Sequence, residues 1–235
     1  MCGRFDQHTL PYRYAGYIDA LLRSTPNDPA PRYNVAPQTY AWVARRARDG
    51  TREVIPLLWG LVSYWADDPK KGARPINARA ESAGTRPMFR QLMATRRCVI
   101  PVDGFYEWQA TPQGKQPHYV RLADGAPMLL AGLWDRWKRG DAAPIESFTI
   151  LTTDANDRVA RLHDRMPAII DPKDLSRWLD VHDNDAAAAG ALLHPYRAEA
   201  IDTYPVSRAV NSATNEGPEL IASQDAGFEE LPPPR

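Results

Sequence analysis

The sequence predicts an α+β fold whose core is built mainly of strands. Twenty-two prolines and 14 glycines are spread over most of its 235 residues, cutting the chain into many short elements and arguing against a helical bundle. Several short runs rich in β-branched and aromatic residues are separated by only a few turn residues. Helical periodicity is confined to a few segments.

Taken in chain order, Tyr14 to Leu22 carries a helical apolar pattern, followed by candidate strands at Thr39 to Ala44 and Glu53 to Trp59. Phe89, Leu92 and Met93 mark a second helix, before strands at Arg97 to Val102 and Phe105 to Gln109. Asp103-Gly104 between those two strands reads as a tight hairpin turn, because Gly tolerates positive φ. Further strands are expected at His118 to Leu122, Met128 to Trp134, Ser147 to Thr152 and Ala168 to Asp171. The clearest helix begins at Asp171-Pro172. Asp171 can cap it, Pro172 suits its first position, and Leu175, Trp178 and Leu179 share one apolar face. Ala186 to Leu193 adds a short Ala-rich helix. Residues 224–235, acidic and ending in three prolines before Arg235, read as a mobile tail. No internal repeat and no Gly/Ser linker divides residues 1–223.

Composition narrows the function. The chain is 43% apolar and 25% charged, as in ordinary globular proteins, and its longest uncharged apolar stretch, Val54 to Leu61, is interrupted by Pro56 and Gly60. That is far short of the ~20 residues of a membrane span. Met1-Cys2-Gly3-Arg4-Phe5-Asp6 resembles neither a signal nor a transit peptide, so the expected compartment is the cytosol, with nucleoid association in a prokaryote. Cys2 and Cys98 make no disulfide framework and have no zinc-ligand spacing, so reduced thiols, no metal and no cofactor are expected. Lys plus Arg equals Asp plus Glu at 29 each, which disfavours nucleic-acid binding through bulk positive charge but leaves room for a local basic groove.

Cys2 is the most informative residue. A small penultimate side chain permits removal of the initiator Met, which would place a thiol and an α-amine on adjacent atoms of one residue. With model values of roughly 8.5 and 7.7–8, both groups have a usable nucleophilic fraction near neutral pH. An aldehyde would then be attacked twice, first by the amine to give an imine and then by the sulfur to close a thiazolidine. Taken alone, a penultimate Cys is also compatible with no role at all.

Three segments offer support for such chemistry. Glu107 alternates with aromatic neighbours in Asp103-Gly104-Phe105-Tyr106-Glu107-Trp108, where burial against them would raise its pKa into a range suited to proton transfer. The alternative is a surface Glu on a half-buried strand. His163, in Leu162-His163-Asp164-Arg165-Met166-Pro167, is a proton shuttle or a structural histidine. Asn77, in Pro75-Ile76-Asn77-Ala78-Arg79-Ala80-Glu81, binds a substrate hydroxyl or carbonyl, or shapes a turn. Arg4, Arg74, Arg79, Arg86, Arg90, Arg96, Arg97, Arg161, Arg165 and Arg208 lie around these segments, and Arg suits bidentate phosphate contacts. Tyr64-Trp65 and the Tyr33-Asn34-Val35-Ala36-Pro37 loop offer flat surfaces for bases or for core packing. Cys98, within Cys98-Val99-Ile100-Pro101, reads as a buried strand residue.

Met-Cys-Gly-Arg-Phe, Arg32 to Pro37, Asn77 to Glu81, Asp103 to Trp108, His163 to Pro167 and Pro205-Val206-Ser207-Arg208-Ala209-Val210-Asn211, in this order, resemble the SOS response-associated peptidase (SRAP) family. The resemblance runs from Cys2 to about Ser223 and implies one domain over residues 1–223, with a bent, barrel-like, mainly antiparallel sheet flanked by helices. It implies a monomer that senses abasic sites in single-stranded DNA and shields them as covalent DNA–protein crosslinks through mature Cys2, working among replication-fork proteins and away from membranes. It further implies abasic-site lyase activity as a side reaction and self-removal of Met1, in keeping with the name peptidase. On this reading Cys2, Asn77, Glu107 and His163 carry the chemistry. Arg4, Arg79 and Arg165 hold phosphates, Asn34 and Pro37 lie in the loop against DNA, Trp65 stacks on a base and Thr152 lines the site. Arg86 is included although it sits one position from the family's phosphate-binding Arg, with Pro87 in that place. The family wedge is often two tryptophans, whereas here Tyr64 precedes Trp65, and an insertion-like Asp67 to Gly72 stretch follows. Two other classes compete. An N-terminal-nucleophile amidohydrolase also begins Met-Cys-Gly, and a noncovalent reader of modified bases would use the same groove without Cys2.

Overall fold

The computed structural model describes residues 2–23, 30–181 and 186–224. Its strands are β1 (Arg4–Gln7), β2 (Leu21–Leu22), β3 (Arg32–Val35), β4 (Tyr40–Arg46), β5 (Arg52–Trp59), β6 (Asn77–Arg79) and β7 (Arg97–Val102). They continue as β8 (Gly104–Thr111), β9 (Gly114–Leu122), β10 (Met128–Trp137), β11 (Ile145–Asp154), β12 (Arg165–Pro167) and β13 (Ile201–Pro205). The helices are short: α1 (Pro11–Tyr17), α2 (Ala80–Ala83), α3 (Arg90–Thr95), α4 (Leu175–Leu179) and α5 (Ala186–Gly190).

Two sheets form, ordered β13-β9-β8-β1-β3 and β12-β11-β10-β7-β4-β5-β2. A parallel pairing of β11 with β5, Ser147 opposite Leu58 and Phe148 opposite Trp59, returns the second sheet on itself, so β11, β10, β7, β4 and β5 make a closed barrel. The α+β expectation holds, with a barrel-like sheet and a few helices.

The barrel explains the unbroken apolar runs. A strand lined on both faces has no polar side to show, and alternate residues go to opposite cores. Cys98, Ile100 and Val102 of β7, with Met128 and Leu130 of β10, point into the barrel with Trp59 and Phe148. Val99 of β7 and Leu129, Ala131 and Leu133 of β10 point outward beneath Leu92, Met93, Leu175 and Trp178 from the helices. The residues expected to form the apolar face of the Asp171 helix are all buried, and Asp171 accepts from the Lys173 N–H at 3.2 Å. The interior core also takes in Cys2 and Phe5, whose ring lies 4.7 Å from that of Trp59. Gln7 stitches β1 to the barrel: its side chain accepts from Trp42 N–H and donates to the carbonyls of Trp42 and Pro101.

Three local expectations are corrected. Asp103-Gly104 is no hairpin turn, because β7 pairs with β10 and β4 while β8 pairs with β1 and β9. The chain instead crosses from one sheet to the other at Asp103. Gly104 is required for a different reason: the Tyr119 ring occupies the place where its Cβ would stand. The actual tight hairpin joins β8 to β9 through Pro112-Gln113, with Gly114 at φ +100°. The helix expected to reach Leu22 ends at Tyr17, because Asp19 adopts φ +51° and Leu21-Leu22 then pairs in parallel with Glu53-Val54 of β5. The ladder expected at Ala168 to Asp171 forms earlier, at Arg165–Pro167. The later residues thread between β10 and β11, with Ala168 N–H on Leu151 O and Ile170 N–H on Leu129 O. Of the tail expected over 224–235, only Gln224 is among the described residues, its N–H on Pro205 O at 2.9 Å.

Candidate active site

Cys2 lies two positions before β1, and its side chain is fully buried. Its thiol lies 3.6 Å from the Arg4 carbonyl oxygen. Burial, and secondly the negative charge of Glu107, push the thiol far above the ordinary cysteine range. Two elements converge on it. Arg4 pairs with Tyr106 and Phe5 with Phe105, a register that brings Glu107 of β8 alongside the start of β1. From the barrel side, β6 pairs in parallel with β11, Asn77 opposite Ile150, and Asn77 Nδ2 donates to the Cys2 carbonyl at 2.8 Å. Asn77 Oδ1 is buried and has no hydrogen-bond partner among the described residues, an uncommon state for a core amide and one suited to receiving a ligand N–H or O–H.

Neighbours of Cys2 line two open clefts, Gly3 and Glu107 one and Asn77 the other, while the buried Cys2 side chain lines neither. One, of about 480 Å³, is lined by Arg4, Glu107, Trp108, Lys115, His163 and Asn211. The other, of about 1080 Å³, is bordered by Trp65, Asn77, Arg79, Arg86 and Arg165. Glu107 is buried, with Oε1 accepting from Trp108 N–H at 3.3 Å. His163 is half-buried. Its Nδ1 lies 3.0 Å from the Arg165 N–H and 2.7 Å from a carboxylate oxygen of the largely exposed Asp164. The Arg165 N–H calls for an acceptor at Nδ1 and the Asp164 carboxylate for a donor there, so these contacts do not select one tautomer.

The arginines divide by what already holds them. Arg4 donates to Asn34 Oδ1 (2.7 Å) and to the carbonyls of Val210 (2.9 Å) and Asn211 (3.2 Å). Buried Asn34 donates in turn to the carbonyls of Val210, Ser212 and Asn215. This gives the Pro205 to Asn211 motif its place: it folds over the first cleft, where Asn211 also accepts from Trp108 Nε1 at 2.7 Å. Arg165 is buried and engaged by Glu81, Asp154 and the carbonyl of Thr152, although its Nε has no partner among the described residues. Thr152 is itself buried, its hydroxyl 3.5 Å from Ala78 O. Arg79 and Arg86 are exposed, with no ion pair among the described residues. Pro37 is half-buried and Trp65 is 54% exposed. Arg96 and Arg97, grouped with these by sequence, join neither cleft. Arg97 is buried on the carbonyls of Trp178 and Met93, and Arg96 pairs with buried Asp135.

Sequence reasoning missed Trp108, Lys115 and Asn211 as lining residues; a Lys on a hairpin arm has no distinguishing signal. It also missed the network at the far end of β1, where Asp6 accepts from His8 and Tyr119, and Asp103 from Thr9 N–H and Tyr14. The atoms of Asp6, His8 and Asp103 lie within 4.8 Å of one another. Every one of these groups is hydrogen-bonded, and the network braces the strand that carries Cys2.

This geometry defines a class: a mixed barrel protein that buries a near-terminal thiol close to an amide and a carboxylate, with an imidazole, exposed arginines and an exposed tryptophan on the adjoining clefts. The chain belongs to the SOS response associated peptidase (SRAP) family, whose model matches residues 1–213. It is 38% identical over 195 residues to the abasic site processing protein YoqW of Bacillus subtilis, covering 82% of this chain and 86% of that one. With the abasic site processing protein YedK of Escherichia coli it shares 35% over 230 residues, covering 94% and 99%. A crystal structure of a Bacteroides thetaiotaomicron protein shares the fold at a TM-score of 0.85 and 24% identity, over 94% of this chain and 99% of that one.

Proposed function

We propose that this protein captures abasic sites in single-stranded DNA as a covalent adduct of Cys2, once Met1 has been removed. The observation that carries the reading is the setting of Cys2, its carbonyl held by Asn77 of one cleft and its thiol within the field of Glu107 of the other. The names of the similar proteins supply the substrate class.

In this reading the ring-opened deoxyribose presents its C1 aldehyde. The freed amine adds to C1, the carbinolamine loses water, and an imine forms. The thiol then adds to the imine carbon while its proton passes to the imine nitrogen, closing the thiazolidine with no oxidant or other co-reactant. Because the buried thiol is protonated at neutral pH, the amine acts first. Glu107 relays protons between amine, departing hydroxyl and sulfur. His163 offers a ring proton to the sugar ring oxygen during opening. Asn77 holds the reacting residue and turns Oδ1 toward the amine or a sugar hydroxyl. Arg79 and Arg86 contact phosphates, Trp65 stacks on a flanking base, and Arg4, Asn34, Pro37, Thr152 and Arg165 shape the walls. The imine also acidifies the C2 proton, so loss of the 3′ phosphate by β-elimination is the expected lyase side reaction.

Intact-mass measurement of the protein before and after incubation with a single-stranded oligonucleotide bearing one abasic site tests this. One added oligonucleotide on a chain lacking Met1, absent in Cys2→Ala, is the expected result. A chain shown to begin at Cys2 that forms no adduct would overturn it and turn attention to amide hydrolysis or noncovalent reading.

A further inference from the structure

Consecutive residues Tyr64 and Trp65, both about half exposed, open onto different depressions. Trp65 borders the larger cleft beside Asn77, whereas Tyr64 borders a separate groove of about 630 Å³ with Trp134 in its wall. Six cations line that groove, Arg45, Arg46, Arg48, Arg96, Arg136 and Lys138, against the two carboxylates of Glu53 and Glu146. In a chain whose charges balance at 29 each, this is a local concentration of positive charge. Arg45 is committed to Glu53 and Glu146 and lies 3.9 Å over the Trp134 ring; Arg96 is paired with Asp135 and Arg46 with Asp180. Arg48, Arg136 and Lys138 are exposed and have no ion pair among the described residues.

Groove and cleft are mechanically one piece. Buried Asp135 accepts from the Tyr64 N–H at 2.8 Å with one oxygen, and from Arg96 and the Arg136 N–H with the other. Trp137 Nε1 donates to Ala66 O at 2.8 Å, so the end of β10 fixes both the aromatic step and the groove wall. We propose that this groove carries the flank of the same single DNA strand past Tyr64, with Arg48, Arg136 and Lys138 on successive phosphates and Tyr64 stacking on a base at the crossing. The proposal rests on the abasic-DNA reading of the Cys2 site and extends its footprint. Spaced free cations beside an exposed aromatic ring suit a flexible phosphodiester strand better than a compact anion.

The test uses the full chain and the triple variant Arg48→Ala/Arg136→Ala/Lys138→Ala, whose exposed side chains support no core contact. The probe is a single-stranded oligonucleotide with a tetrahydrofuran abasic analogue, which has no aldehyde and cannot crosslink. It is supplied either just long enough for the two clefts or lengthened on the 5′ or the 3′ side. Lengthening on one side is expected to tighten binding to the natural chain about tenfold, and the triple variant should bind the short probe normally without showing that gain. Its log–log salt slope on the long probe should be flatter by about 2, at ~0.7 for each phosphate no longer neutralised. The proposal is overturned by an equal gain in both proteins, by no gain on either side, or by a gain that requires a duplex flank. If an aldehyde-bearing probe gives no covalent product while the length-dependent gain remains, the covalent reading fails and the groove assignment stands.

Discussion

The two cysteines lie in the same barrel core and share every property that burial confers. Cys2 and Cys98 are both fully enclosed, and enclosure drives both thiols well above the ordinary range. Their neighbourhoods differ. The carbonyl of Cys98 accepts from Trp178 Nε1 at 2.8 Å, a packing contact beneath α4, whereas that of Cys2 accepts from a side chain that lines an open cleft. The charge acting most strongly on Cys98 is Arg45, which lowers its pKa; on Cys2 it is Glu107, which raises it. Thiol acidity does not separate the two, because burial is the dominant cause in both. What marks Cys2 is its place in the chain, where one bond cleavage creates a second nucleophile, and neighbours, Asn77 and Glu107, that line open clefts.

The sharpest way to break this comparison is substitution. Cys2→Ala should abolish the thiazolidine adduct by intact mass, while Cys98→Ala should keep it and lower unfolding free energy by about 1–2 kcal/mol through the cavity it leaves, measured by urea denaturation. An adduct missing from Cys98→Ala at a temperature where that variant is folded would refute the division of roles. Glu107→Gln keeps the size of the side chain and removes proton transfer, so adduct formation should slow by about 10²-fold in single-turnover kinetics with the fold intact by circular dichroism. Trp65→Ala should weaken noncovalent binding of the abasic analogue by ~1–2 kcal/mol, about tenfold by anisotropy, and leave the thermal midpoint unchanged.

The smallest effect is on pH. Burial foremost raises the Asp6 carboxyl to about 6, and the hydrogen bond that His8 donates to Asp6 raises the His8 imidazole. Each group is held protonated in the folded chain above the pH at which the unfolded chain releases its proton. Their contribution is therefore complete at low pH, is lost for Asp6 as pH rises from about 4 through about 6, and is lost for His8 above about 6.5. The thermal midpoint should fall by a few degrees across this window, an order of magnitude set by the size of the domain. Asp6→Asn should flatten the slope. An unchanged slope in that variant would show that β1 is not braced by this pair.

Much of the fold was legible where local pattern and burial agree. The apolar run Arg97 to Val102 becomes a strand with those bounds because both of its faces meet a core, and the Asp171-Pro172 start is a cap whose chemistry is local. Asp103-Gly104 misled because its glycine answers to Tyr119, a residue 15 positions away, rather than to a turn. At the site, Cys2, Asn77, Glu107 and His163 were each singled out by residue type and motif, and their roles are the ones proposed above. Arg165 shows the opposite case: its guanidinium is engaged by Glu81 and Asp154, a commitment no spacing announces.

The sequence by itself determined the alternation of inward and outward side chains, the caps and breaks of the short elements, and the presence of a thiol at position 2, because each depends on neighbours within a few residues. Only the tertiary structure decided that β11 closes the barrel against β5, that Arg96 and Arg97 serve packing, and that Asn77 reaches Cys2 across 75 positions of chain. Those are long-range contacts selected by how two sheets share one core, and local propensity carries no record of them.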